Sequence, residues 1–182
     1  MRKLFLPCFL IITGTSSAEV SESLVYTSYT ANADPTRSLL SILNASSPFR
    51  PNHAYTTWNV KWRFRWFENP DGRCRITNVA TELTGSINLP RLVGANSVQG
   101  GQFEKYLSAL RDHELGHYSI GKEAAVAIDR TILSLPEMPS CKALESAAND
   151  LGNRMLNEYK ERELRYDAST AHGKSQGAWL DK

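Results

Sequence analysis

From Trp58 to Trp66, apolar and polar residues change places at every step: Trp58, Val60, Trp62, Phe64 and Trp66 alternate with Asn59, Lys61, Arg63 and Arg65. A period of two puts the aromatic set on one face of a strand and the bases on the other. A basic row interleaved with tryptophans invites comparison with single-strand nucleic-acid binders, where rings stack on bases and cations meet phosphates. Stacking would need rings and cations on the same face, and alternation separates them. The segment therefore reads as an amphipathic strand, and nucleic acid is not an expected partner. Upstream, Leu24 to Thr30 has the β-branched and aromatic content of a strand, and Asp34-Pro35-Thr36 opens a short helix through Leu39, Leu40, Ile42 and Leu43. Downstream, Asn69-Pro70-Asp71-Gly72 is a turn, and Cys74 to Leu89 reads as one or two returning antiparallel strands that Pro90 ends.

Beyond Gly101 the period becomes helical. Phe103, Tyr106, Leu107, Leu110, Ile120, Ala124, Ile128 and Ile132 recur at three- and four-residue intervals, predicting a helix from about Gly101 to Leu135. Leu135-Pro136-Glu137-Met138-Pro139 breaks the chain, and a second helix is expected from Ser140 through Leu144, Leu151, Met155, Tyr159 and Leu164, with an irregular tail from Tyr166. No repeat or low-complexity tract interrupts this order. The expected fold is α+β, an antiparallel sheet packed on two long helices.

Composition adds the compartment. The chain has 182 residues, 41% of them hydrophobic, and its net charge of +2 favours no class of partner. Met1-Arg2-Lys3, the apolar run Leu4 to Ile12 and the small residues ending at Ser16-Ser17-Ala18 have the layout of a signal peptide cleaved after Ala18, leaving 19–182 as one domain. The apolar run is too short for a membrane span, so no stable membrane insertion is expected after cleavage, and the protein is expected to be periplasmic or secreted. Cys8 falls inside the run and belongs to the removed segment. Cys74 and Cys141 remain, and in an oxidising compartment they are expected to pair, contributing about 4 kcal/mol through loop closure. Neither has a close Cys or His neighbour that would favour use as a metal ligand.

The chemistry lies in His113-Glu114-Leu115-Gly116-His117. Residues four apart share one helix face, so the two imidazoles can meet one zinc ion while Glu114 reaches a water on it. All three fall on the apolar, inward stripe of the helix, where an unpartnered glutamate would be costly. A catalytic zinc takes a third protein ligand and keeps an open position. The metzincin continuation is excluded, because Ile120 and Glu123 stand where that pattern needs glycine and histidine, and Gly121 is one residue late. Glu145 on the second helix is one candidate; Glu123 and Asp129, on the motif helix itself, are poorer ones. His172 is preferred, because its surroundings are dense in small and polar residues rather than repeated charges. His53, following Pro51-Asn52, reads as a surface residue in a turn.

The motif followed by Gly121 and Glu123-Ala124-Ala125, together with Tyr166-Asp167-x-x-Thr170-x-His172-Gly173-x-x-Gln176-Gly177-Ala178, resembles the predicted secreted zinc-dependent protease family of bacteria, first catalogued as a domain of unknown function. The resemblance covers most of the mature chain and implies a zincin-like metallopeptidase fold, with the His172-Gly173 segment folded back toward the metal helix. The expected activity is peptide-bond hydrolysis, with zinc on His113, His117 and His172 and with Glu114 as general base. Tyr166 is the expected donor to the charge that develops on the carbonyl oxygen, and Tyr118 is expected to turn away from the ligands. Asp167 is expected either to orient a ligand histidine or to cap a turn. Two alternatives stay open: a non-catalytic exported metal-binding or interaction module, and a zinc amidase acting on cell-wall peptides.

Overall fold

The computed structural model describes residues 19–180, so the export segment read at Met1–Ala18 lies outside the described residues. Strand β1 (Glu19–Asn32) leads through helix α1 (Leu39–Ser46) to β2 (Tyr55–Glu68) and β3 (Cys74–Val93), followed by helices α2 (Ser97–Leu133) and α3 (Cys141–Thr170). The fold is α+β, with a sheet ordered β1-β3-β2. The sheet is mixed rather than antiparallel: β2 runs against β3, but β1 runs parallel to it, from Glu19 beside Ala80 to Asn32 beside Val93. Cys74 to Val93 form one continuous central strand, and Pro90 lies within it. β2 begins opposite Asn88, so at Pro90 only β1 flanks the strand, and a missing N–H is tolerated there.

The alternation on β2 is realised as read from Trp58 to Arg65, whereas Trp66, after a slip in register, is 42% exposed. Trp58, Val60, Trp62 and Phe64 turn toward the helices, while Asn59, Lys61, Arg63 and Arg65 are exposed. On β3, Val79, Leu83 and Ile87 are fully buried and meet Phe103, Leu110, Ala125, Ile128 and Ile132 of α2 and Leu144 and Ala148 of α3. Tryptophans of this size need gaps in the helices. A Cβ on Gly121 would come within 2.6 Å of the Trp58 ring, and one on Gly152 within 2.5 Å of Trp62, whose Nε1 donates to Asn149 Oδ1 at 3.1 Å.

Helix ends follow capping chemistry. α1 starts later than expected, because Asp34 binds the backbone N–H and hydroxyl of Thr36 in a turn, and Ser38 is the residue that caps the helix. Asn96 accepts from Gln99 N–H at the start of α2, and Ser140 from Ala143 N–H at the start of α3. The tail from Tyr166 is not irregular: α3 continues to Thr170 and stops where Ala171 and His172 adopt left-handed backbone, at φ 49° and 53°. A disulfide joins Cys74 to Cys141, fixing the start of α3 to the start of β3. Met138 reinforces that junction by exchanging two backbone hydrogen bonds with Cys74.

Candidate metal centre and its cavity

α2 and the last two turns of α3 lie side by side, and three side chains converge between them. His113 Nε2 and His117 Nε2 stand 3.2 and 3.1 Å from the same oxygen of Asp167, and the ligand atoms of these three residues all lie within 4.8 Å of one another. Each imidazole is held from behind. His113 Nδ1 is 2.9 Å from Gln176 Oε1, and His117 Nδ1 is 3.3 Å from Glu163 Oε1. Gln176 Oε1, Glu163 and Asp167 can only accept, so both nitrogens of each ring face acceptors: Nδ1 an outer support and Nε2 the oxygen of Asp167, where either a proton or a cation would satisfy it. This is the outer support that metal-binding histidines commonly have. Burial lowers the pKa of His117, but the Glu163 hydrogen bond and the charges of Asp167, Glu114 and Glu163 outweigh it and hold the ring above the ordinary histidine value.

Glu114 is buried beside them, and its Oε2 accepts the Thr56 hydroxyl of β2 at 2.6 Å. Burial is the larger influence and raises its pKa; the Thr56 hydrogen bond and the two histidines act the other way. Gly116, between the motif's functional residues, is where Tyr166 crosses α2: a Cβ there would overlap the tyrosine hydroxyl. Tyr166 stacks on His113 with 5.1 Å between ring centres and 12° between planes. Its hydroxyl donates to the His113 carbonyl at 3.2 Å and accepts from Gln176 Nε2 at 3.1 Å. That proton is engaged by the helix backbone, and the ring braces His113 against the end of α3.

The other expected residues fall as follows. His172 is 62% exposed on the left-handed turn, with Nδ1 3.4 Å from Asp167, so it stands at the rim rather than between the two histidines. Glu145 is exposed and about six helical turns before Asp167 on α3, roughly 33 Å along the axis. Asp129 is in the core, accepting from Thr81 at 2.7 Å, and Glu123 pairs with Arg162. Tyr118 packs on Gly85 of the sheet with its hydroxyl toward Glu22, away from the histidines. His53 is buried rather than on the surface: Nε2 donates to Asn44 Oδ1 at 2.8 Å, and Nδ1 accepts from the Tyr106 hydroxyl at 2.7 Å. Burial keeps its pKa below the usual histidine value.

These groups open into a cavity of about 620 Å³, within the range that holds small ligands and side chains. His113, Glu114, His117 and Asp167 line one wall, His53, Tyr106 and Leu110 another, and Trp179 and Leu180 of the tail a third. Residues 26–173 match the family described as "Bacterial protein of unknown function (DUF922)". The chain belongs to this DUF922 family. The matched segment takes in β1 from Tyr26 onward, all of β2, β3, α2 and α3, and the converging His113, His117 and Asp167. No curated protein and no solved structure matches the chain. The family description carries no activity, so the reading of this DUF922 protein rests on the chemistry of the site.

Proposed function

We propose that this protein is a zinc-dependent hydrolase that cleaves peptide bonds, with His113, His117 and Asp167 as metal ligands and Glu114 as general base. The observation that carries this reading is the convergence of two imidazole nitrogens on one carboxylate oxygen beside a buried glutamate. Two ring nitrogens 3.1 and 3.2 Å from one carboxylate oxygen, all three within 4.8 Å of one another, call for a cation, proton or metal, among them. A tetrahedral zinc site with bonds of about 2.0–2.1 Å has ligand-to-ligand edges of about 3.3 Å, close to that spacing. Two imidazoles and a carboxylate are also a donor set that zinc accepts. Asp167 replaces His172 as the third ligand in this reading, because α3 delivers it to the gap and leaves His172 at the rim.

Bound there, zinc would act as a Lewis acid toward a scissile carbonyl and toward water. Glu114 would take the proton from the attacking water and return it to the departing amine; its raised pKa suits both halves of that transfer. Thr56 would hold the carboxylate in line, and Gln176 and Glu163 would keep both imidazoles in the ligating tautomer. Three protein donors facing a cavity fit a catalytic site, since a structural zinc is usually closed by a fourth.

The test is turnover of a mixed peptide library by the zinc-loaded protein beside Glu114→Gln. The variant should keep one zinc per chain and lose roughly 10²–10⁴-fold in rate. Equal turnover by both proteins would remove Glu114 as the base. Cleavage of cell-wall peptide amides with no cleavage of the library would place the same chemistry in an amidase.

A further inference from the structure

The sheet face opposite α2 carries a feature that the metal site does not use. Lys61, Arg63 and Arg65 project from it at alternate positions of β2, about 7 Å apart, and all are exposed. Among the described residues none has an ion-pair partner. Glu82 lies opposite Lys61 in the register without bonding it, while Arg63 faces Ala80 and Arg65 faces Asn78. Between Arg65 and Trp66 the register slips by one, leaving Thr77 as an extra residue whose hydroxyl donates to the Arg65 carbonyl at 3.2 Å. The slip brings Arg75 opposite Phe67, and its guanidinium lies 5.5 Å from the ring centre.

Phe67 thus continues the cationic row, 49% exposed, and Trp66 at the same strand end is 42% exposed on the other face, against Phe64. Of the acidic groups in the adjoining turn, Asp71 accepts the backbone N–H of Arg73, and Arg73 itself pairs with Glu137. Three cations along β2 and Arg75 beside them on β3, with Glu82 opposite Lys61, end in one exposed ring on the same face, Phe67, and match the two layers of a lipid surface. Anionic headgroups would meet the cations, and the interfacial zone would take the ring. A single-stranded nucleic acid would need rings between the cations, and here the ring stands only at the end.

We propose that this sheet face adsorbs the protein to anionic phospholipid bilayers, with Lys61, Arg63, Arg65 and Arg75 on the headgroups and Phe67 in the interface. The contact is peripheral: no described helix is long and apolar enough to cross a membrane. It is also independent of the hydrolase reading. Adsorption would leave the metal cavity, on the α2 side and at the opposite end of β2, facing away from the lipid.

The experiment is flotation of the protein with phosphatidylcholine vesicles made with and without phosphatidylglycerol, at low and high salt. Binding should require phosphatidylglycerol, weaken with salt, and fall roughly a hundredfold in Lys61→Gln/Arg63→Gln/Arg65→Gln, at about fivefold per cation. Phe67→Ser, which keeps every cation, should lose the salt-resistant part of the binding. Unchanged circular dichroism and Tm would show that both variants are folded. The proposal is overturned if the parent floats equally with neutral vesicles or with none, or if the triple variant floats as the parent does. It is also overturned if soluble inorganic polyphosphate binds as tightly as the vesicles and Phe67→Ser behaves as the parent.

Discussion

Gln176 Oε1 stands 2.9 Å from Nδ1 of His113, across 63 positions of sequence, so the tail of the chain supports the motif histidine from behind. Gln176→Leu removes the acceptor while keeping most of the volume. Zinc affinity should fall about 10–100-fold, as for other outer supports of ligand histidines. Competition with a fluorescent chelator measures it, and an unchanged affinity would show that the tautomer is set elsewhere.

Asp167→Ala should abolish stoichiometric zinc, whereas His172→Ala should retain it. Metal content after dialysis separates the two ligands directly. In the parent, saturating zinc should raise Tm by mass action, and that rise should disappear in Asp167→Ala.

Gly116→Ala keeps both histidines and the glutamate of the motif but places a methyl group against the Tyr166 hydroxyl. Because the obstacle is a ring packed between two helices, the cost should be about 1–3 kcal/mol by chemical denaturation. Tyr166→Phe relieves none of the overlap with the ring, so the double variant should remain destabilised.

Loss of the disulfide, in Cys74→Ala/Cys141→Ala, should cost about 4 kcal/mol, because the bridge closes a loop of 67 residues. Denaturant midpoints of the two forms at equal m-value test this. A difference under 1 kcal/mol would mean that the Cys74–Met138 backbone pairing alone holds the junction.

His53 gives the fold an acid-sensitive component. Its pKa is lowered from 6.5 by burial, so the unfolded chain binds a proton more readily than the folded one. The contribution is fully present above pH 6.5 and is lost as pH falls through the depressed value. His53→Gln should therefore flatten the decline in stability below pH 6.5 relative to the parent, read as Tm against pH. A variant curve parallel to the parent's would remove His53 as the titrating group.

Much of this was legible in the chain, and the two main failures have separate physical causes. Period-two alternation at Trp58–Trp66 and period-3.6 spacing from Phe103 to Ile132 located β2 and α2, because each buries a face written in apolar residues. The end of α3 buries a face as well, but it is written in Glu163, Tyr166, Asp167 and Thr170. Those residues are spaced three, four and seven apart as a helix stripe requires, and three of the four are polar. Hydrophobic periodicity is blind to such a stripe, so the chain from Tyr166 read as irregular although α3 continues to Thr170. The spacing itself was the available signal. The parallel pairing of β1 with β3 had none: it is a choice between free strand edges, made by packing between segments about sixty residues apart.

The grouping of Thr56, His113, Glu114, His117, Glu163, Asp167 and Gln176 around one site also sets an order in time. Synthesis runs from the amino end, so a chain halted before residue 163 has the strand segments and both histidines, yet neither the carboxylates that face the histidines nor the amide behind His113. Such a chain has two imidazoles without the groups that hold them here. The site thus closes only once α3 and the turn after it have been added to the sheet and α2.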